Sequence, residues 1–177
     1  FVYLDDLLVF SPDVRTHDEH LRAVLQKLRD NGLSVNLEKC QLFKDQVNYL
    51  GHVVDSAGIK PIPKNVSAVA DMPPPEDKKA LQRYIGCLNF YRSFCPRLAA
   101  ILLPLPSLLQ KAVPWVWGPT QQAAFSEAKK ALVTACQLIH YKPGFPLRLT
   151  TDASDGALGA VLEQFNLGRW CPLDFWS

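Results

Sequence analysis

Asp5 and Asp6 are neighbouring acids set between two short apolar runs, Phe1-Val2-Tyr3-Leu4 and Leu7-Leu8-Val9-Phe10. Valine, tyrosine, phenylalanine and leucine suit a buried strand, and a polar centre suits the tight turn of a hairpin. Successive side chains of a straight strand point to opposite faces, so only a turn can aim both carboxylates at one spot. Two carboxylates at one spot repel, and one takes up a proton unless a cation lies between them. Magnesium answers that need, because it is a hard cation that binds through one or two carboxylates plus phosphates. An isolated Asp-Asp pair is more often a plain polar turn between core strands. The apolar flanks here favour chemistry, since acids at the tip of a buried hairpin serve stability poorly and phosphoryl transfer well.

A third acid, Asp152, stands near the end of the alternating run Leu147-Arg148-Leu149-Thr150-Thr151-Asp152-Ala153-Ser154-Asp155. That run reads as a strand. Gly156 to Leu162 reads as a second strand, and Pro172 to Ser177 as a third. An Asp borne on a strand is usually an edge or turn residue, so by itself Asp152 carries little.

The remaining residues must position these acids. The chain has 177 residues, enough for one large or two small domains. With 48% hydrophobic and 20% charged residues it has the composition of a globular protein. No apolar run is long enough to span a bilayer. Five cysteines, Cys40, Cys87, Cys95, Cys136 and Cys171, are odd in number and form no C-x-x-C pair, which argues against both a disulfide framework and a zinc site. Reduced thiols in a cytosolic or nuclear setting are expected. The net charge of +2 is unevenly placed. Residues 1–60 hold 7 basic against 9 acidic residues, 61–150 hold 11 against 4, and 151–177 hold 1 against 4. A basic middle between acidic ends suits a protein that grips a polyanion centrally and does metal chemistry at each end. A solvated helical face is the plainer reading of the same charges.

Thr16-His17-Asp18-Glu19 has capping-box spacing, and Leu21, Val24, Leu25 and Leu28 follow at helical intervals. A helix from about Thr16 to Asp30 is expected, with its apolar face under the hairpin. His17 and His20 lie one turn apart but have no third ligand type nearby, so they read as surface residues. Leu33 to Leu37 and Gln41 to Phe43 read as short strands. A longer strand over Val47 to Val54, a turn at Asp55 to Gly58 and a strand at Ile59 to Pro61 form a second hairpin. Gly51 within it predicts a bulge or a close approach by another backbone. Pro63 opens a helix to about Asp71, and Met72-Pro73-Pro74-Pro75 is a stiff border. Asp77 to Phe94 reads as a helix with Leu81, Tyr84, Ile85, Leu88 and Tyr91 buried. Gly86 in that helix costs about 1 kcal/mol relative to alanine. Close passage of a nucleic-acid backbone or tight packing on a neighbouring helix would each account for it. A short helix at Leu105 to Gln110 and a longer one opening at Pro119 complete the pattern. The tryptophans ahead of it, Trp115 and Trp117, read as core.

Phe1-Val2-Tyr3-Leu4-Asp5-Asp6-Leu7-Leu8-Val9-Phe10-Ser11 resembles the Tyr-x-Asp-Asp box of reverse transcriptases. Leu50-Gly51-His52-Val53-Val54 with Gly58-Ile59-Lys60-Pro61 resembles the primer-gripping hairpin of gypsy-type LTR retrotransposon polymerases, and Asn36 to Cys40 is similar to that family's lead-in. Leu81 to Pro96 resembles the thumb helix of the same family, and Thr151-Asp152-Ala153-Ser154-Asp155 with Gly159-Ala160-Val161-Leu162-Glu163-Gln164 resembles the start of its ribonuclease H domain. The resemblance runs end to end and in the family's order.

It implies an α+β fold: a partial palm over residues 1–62, a helical thumb over 63–112, a connection over 113–144 and the first strands of a ribonuclease H-like domain over 145–177. It implies that Asp5 and Asp6 are polymerase carboxylates, that Asp152 is the first ribonuclease H carboxylate, and that all three bind Mg2+ or Mn2+. Tyr3 would line the nucleotide or primer site, and Leu50, Gly51 and His52 would grip the primer. Lys78, Lys79, Arg83, Gly86, Asn89 and Arg92 would face the RNA template and DNA primer duplex, with deoxynucleoside triphosphates as substrates.

The family's other polymerase carboxylate and its nucleotide-binding fingers belong upstream of this hairpin, and further ribonuclease H acids belong downstream of Ser177. Glu163 follows the second strand too closely to be one of them. The chain reads as a fragment of a polyprotein that shows neither activity alone. A non-catalytic nucleic-acid-binding relic or host-adopted protein, using the basic 61–150 region, is the competing reading. An unrelated metal-dependent phosphotransferase is weaker, for want of a phosphate-cradling glycine loop.

Overall fold

The computed structural model describes residues 1–154 and 156–177. Among the described residues, three antiparallel sheets are joined by five α-helices. The first hairpin pairs β1 (Val2–Tyr3) with β2 (Asp6–Leu7), in the register Val2 to Leu7 and Tyr3 to Asp6. Helix α1 (Val14–Asp30) follows. Its cap is Asp13, whose carboxylate accepts from both the Thr16 amide (2.9 Å) and the Thr16 hydroxyl (2.8 Å). The predicted Thr16–Glu19 capping box is therefore displaced by one turn, because an aspartate just upstream caps better than a threonine inside the helix. The face of α1 expected to lie under the hairpin is not buried there: no residue of this helix is fully buried.

Two of the expected strands do not form. Leu33 to Asn36 runs without sheet partners into a 3-10 turn at Leu37–Lys39, capped by the Asn36 side chain on the Glu38 amide. Gln41 to Phe43 is likewise unpaired, and Phe43 sits at φ 53°. Alternation alone does not make a strand when no neighbour takes up its hydrogen bonds.

The long strand predicted over Val47 to Val54 is two strands. β3 (Gln46–Tyr49) and β4 (His52–Asp55) meet at Leu50-Gly51, where φ is 47° and 79°. Positive φ at both central residues is the signature of the tight hairpin turn that matches strand twist. Gly51 is thus a turn residue, not a bulge. β5 (Gly58–Pro61) completes a three-stranded meander. The Asp55 carboxylate closes its second turn on the Ala57 and Gly58 amides (2.9 and 3.1 Å) and on Lys60 (3.2 Å). Burial alone would raise the Asp55 carboxyl pKa, but Lys60 and the two amides outweigh it and hold the pKa below the ordinary aspartate value.

Helices α2 (Pro63–Ala70), α3 (Lys78–Phe90), α4 (Leu98–Leu102) and α5 (Pro119–Val133) make one core. Leu81, Tyr84 and Leu88 of α3 meet Ala124, Phe125, Ala128 and Leu132 of α5 within it. The Tyr84 hydroxyl donates to the Phe125 carbonyl at 3.1 Å, and burial pushes its pKa well above the usual tyrosine range. Asp77 caps α3 through the Ala80 amide at 2.6 Å. The helix stops four residues before the predicted end, and Arg92–Phe94 continue as a 3-10 turn. Trp115 and Trp117 pack on the core as predicted. No helix among the described residues is long and apolar enough to cross a membrane.

After α5 the chain adds an edge to the meander. Ile59 and Leu138 exchange both backbone hydrogen bonds, at 2.8 and 2.9 Å. Gly58 makes room for this: a Cβ there would lie 1.9 Å from the Leu138 carbonyl oxygen. The last sheet orders β6 (Leu147–Ala153), β7 (Leu158–Asn166) and β8 (Arg169–Trp176) as a meander. The predicted strand to Asp155 ends at Ala153, and Asp155 lies outside the described residues. β7 starts at Leu158, later than the predicted Gly156, and runs on to Asn166. β8 opens three residues before Pro172, which the strand accommodates at a register shift opposite Leu162/Glu163.

Candidate active sites and nucleic-acid interface

Leu4 takes φ 49°, which reverses the chain between Tyr3 and Asp6. Asp5 lies in the turn and Asp6 opens β2. Directly paired residues on antiparallel strands share a face, so Tyr3 and Asp6 project together. Asp5, Asp6 and Tyr3 are all exposed. The four ion pairs among the described residues involve neither acid. Two adjacent carboxylates without a lysine or arginine partner are oxygen donors of the kind a hard divalent cation takes. No cluster of three or more His, Cys, Asp or Glu able to hold a metal occurs among the described residues. The Tyr49 hydroxyl reaches the Asp6 carbonyl at 3.4 Å, linking this hairpin to the meander.

The turn Leu50-Gly51 and its neighbour His52 face the C-terminal end of α3. The His52 ring stacks on Phe90, with centroids 4.9 Å apart and planes inclined by 13°. Phe94 lies 5.2 Å away on a tilted plane. Burial lowers the His52 imidazole pKa, opposed only in part by a hydrogen bond to the Leu50 backbone. A Cβ on Gly51 would come within 2.7 Å of the Phe90 ring. The close approach predicted at Gly51 is therefore made by a side chain rather than by another backbone. Phe90 is not a residue that the sequence singles out, although a phenyl ring on the polar face of a helix is a readable oddity.

On α3, Lys79, Arg83, Gly86 and Asn89 are exposed on the side opposite Leu81, Tyr84 and Leu88. Nothing lies within 4 Å of a Cβ built on Gly86, so helix packing does not account for it, and the helix backbone is open to solvent there. Lys78 points elsewhere. Its ammonium donates to the carbonyls of Gln110 and Val113, each at 2.6 Å, and so ties down the end of the Pro106–Leu109 turn. Lys129 does similar work, donating to the Met72 carbonyl in the proline-rich border. His17 and His20 both reach the Ser11 hydroxyl through Nδ1, at 3.3 and 2.9 Å.

Asp152 sits on β6 opposite Gly159 of β7, exposed. It lines a cleft of about 560 Å3 together with Thr151, Gly159, Trp176 and Arg92. Arg92 comes from the 3-10 turn that directly follows α3. Glu163 is occupied: Arg148, its cross-strand partner, donates to it through Nη2 at 2.7 Å and Nε at 2.9 Å.

Residues 1–54 match the family model described as reverse transcriptase (RNA-dependent DNA polymerase), and residues 117–177 match that of the RNase H-like domain found in reverse transcriptase. The two matches lie at opposite ends of the chain and in that order. Among particular relatives, the Tf2-3 and Tf2-7 transposon polyproteins of Schizosaccharomyces pombe (strain 972) are each 35% identical over 176 residues, 99% of this chain. The chain spans only 13% of the length of either. The fold is similar to that of a foamy viral protease-reverse transcriptase solved in complex with an RNA/DNA hybrid, with a TM-score of 0.78 and 26% identity over 94% of this chain and 23% of that one. A second structure of the foamy viral protein, with dsDNA, gives a TM-score of 0.76 at 26% identity, covering 94% of this chain and 35% of that one.

Proposed function

We propose that this chain is the palm end, thumb, connection and ribonuclease H start of a gypsy-type retrotransposon reverse transcriptase, an RNA-directed DNA polymerase with ribonuclease H. The observation that carries the reading is the pair Asp5 and Asp6, unpaired and exposed at a hairpin tip, in the part of the chain that matches a reverse transcriptase family model. Asp5 and Asp6 hold Mg2+ or Mn2+ together with a carboxylate from outside these residues. Bound there, the metal supplies an activated primer 3′ hydroxyl and charge neutralisation on the leaving pyrophosphate. Tyr3, on the same face as Asp6, borders the primer end or the incoming deoxynucleoside triphosphate. The Leu50-Gly51-His52 turn holds the primer strand, braced from behind by Phe90. Lys79, Arg83 and Asn89 contact phosphates of the RNA template and DNA primer duplex, with Gly86 letting a strand pass close to the helix. Lys78 supports this surface by fixing the turn behind it. Asp152 serves the ribonuclease H metal site, again with acids from outside the chain.

The test is a pair of variants of the full protein that carries these residues. Asp5→Asn with Asp6→Asn should abolish primer extension and leave cleavage of an RNA/DNA hybrid intact. Asp152→Asn should do the reverse. Primer extension that survives the loss of both hairpin acids would overturn the assignment.

A further inference from the structure

Arg92 and Asp152 face the same cleft from different parts of the chain. Arg92 comes from the 3-10 turn after α3, and Asp152 from β6, sixty residues later. Among the described residues the two form no ion pair with each other or with any other side chain. A cation and an acid that share a cleft without neutralising each other are each left available to a ligand. Next to the cleft, Phe175 of β8 packs on the helical core, and the Ala99 amide donates to the hydroxyl of Ser177, one of its lining residues, at 3.2 Å. The cleft, at about 560 Å3, is within the range of ligand-binding clefts and has room for a short stretch of strand backbone. Trp176, exposed on its rim, offers a flat apolar surface beside the polar pair. A guanidinium presents a planar fork of donors that matches phosphate, whereas the carboxylate beside it takes a hard cation.

We propose that Arg92 holds a backbone phosphate of an RNA–DNA hybrid as it lies across Asp152, and so positions the strand to be cut. The proposal rests on reading Asp152 as a ribonuclease H carboxylate. It separates Arg92 from the duplex-binding stripe of α3. A residue between the two matched family segments thereby serves the second of them. Arg92 is a positioning residue: it aligns the strand and takes no part in bond breaking.

The test uses the full protein that carries these residues, with Arg92→Gln, Arg92→Lys and Lys79→Gln. Arg92→Gln should raise the KM for hybrid cleavage about tenfold, as expected on losing one charge-assisted phosphate contact, with kcat nearly unchanged. Primer extension should be unaffected. Lys79→Gln should show the opposite preference. Hybrid binding measured in EDTA, without divalent metal, should lose about one unit of its salt dependence in Arg92→Gln and keep it in Arg92→Lys. An unchanged cleavage KM together with an unchanged salt slope, or an equal loss of primer extension, would overturn the proposal. Asp152→Asn is the separate control. Cleavage abolished with hybrid binding retained supports the carboxylate reading; cleavage that survives refutes that reading whatever Arg92 does.

Discussion

Gly51→Ala is the most informative single change at the meander tip, because its cost divides into two parts that can be measured apart. The first part is backbone. Gly51 sits at φ 79°, and a non-glycine residue in the left-handed region costs about 1–2 kcal/mol. The second is contact. The new Cβ would lie 2.7 Å from the tip of the Phe90 ring, so the ring must swing away. The ring is half exposed and free to do so, but it would leave its stack on His52, worth about 0.5–1.5 kcal/mol. The total is about 1.5–3.5 kcal/mol. In a Phe90→Ala background only the backbone part remains, so the double-mutant cycle should return a coupling of about 1 kcal/mol. Urea denaturation followed by far-ultraviolet circular dichroism measures each free energy, provided the m-value is unchanged. Identical costs of Gly51→Ala with and without Phe90 would refute the idea that the hairpin tip and α3 are braced against each other.

Gly58→Ala should be worse still, by about 2–4 kcal/mol, since the obstacle is the Leu138 carbonyl and two backbone hydrogen bonds are at stake; amide exchange at Ile59 and Leu138 should accelerate with it. His52 should make the fold acid-sensitive. Its folded pKa lies below the ordinary value of 6.5, so the unfolded chain binds the proton more readily and stability falls as pH drops below about 6.5. His52→Phe should keep the stack and flatten that part of a pH–stability profile; an unchanged profile would mean that another group is responsible. The isolated 177 residues should show no metal-dependent primer extension, because the described residues bring no third carboxylate to Asp5 and Asp6. Gel detection of extended primer would contradict this.

The parts of the fold that sequence reveals are those with local causes. Asp77 followed by a helical stripe and proline at the start of α2 and α5 mark helices because capping and a fixed φ act within a few residues. The acids at the first hairpin's tip are legible for the same reason. The failures have non-local causes. Leu33 to Asn36 alternates like a strand but has no partner to pair with. Leu50 adopts a left-handed conformation that its residue type does not advertise, so two strands read as one. Pro172 reads as the beginning of β8 because the register shift that tolerates it depends on β7. The residues of the candidate sites are legible in the same uneven way. Asp5, Asp6 and Asp152 stand out by type and context. Arg92 reads as one more basic residue of a helix, since its nearness to Asp152 arises only when β8 packs on the turn after α3. Lys78 reads as a surface cation, since its two carbonyl acceptors lie more than thirty residues away.

The pairing of Ile59 with Leu138 has a consequence for geometry at long range. It staples the segment leading into the last sheet to the edge of the meander, while Ile139 donates to the Pro172 carbonyl at 2.9 Å on the other side. Two neighbouring residues thus fasten one sheet to the other. Under the proposed function, a duplex held at the His52 turn would therefore lie at a set distance from Asp152. In that sense one short stretch of backbone sets the spacing between the two sheets.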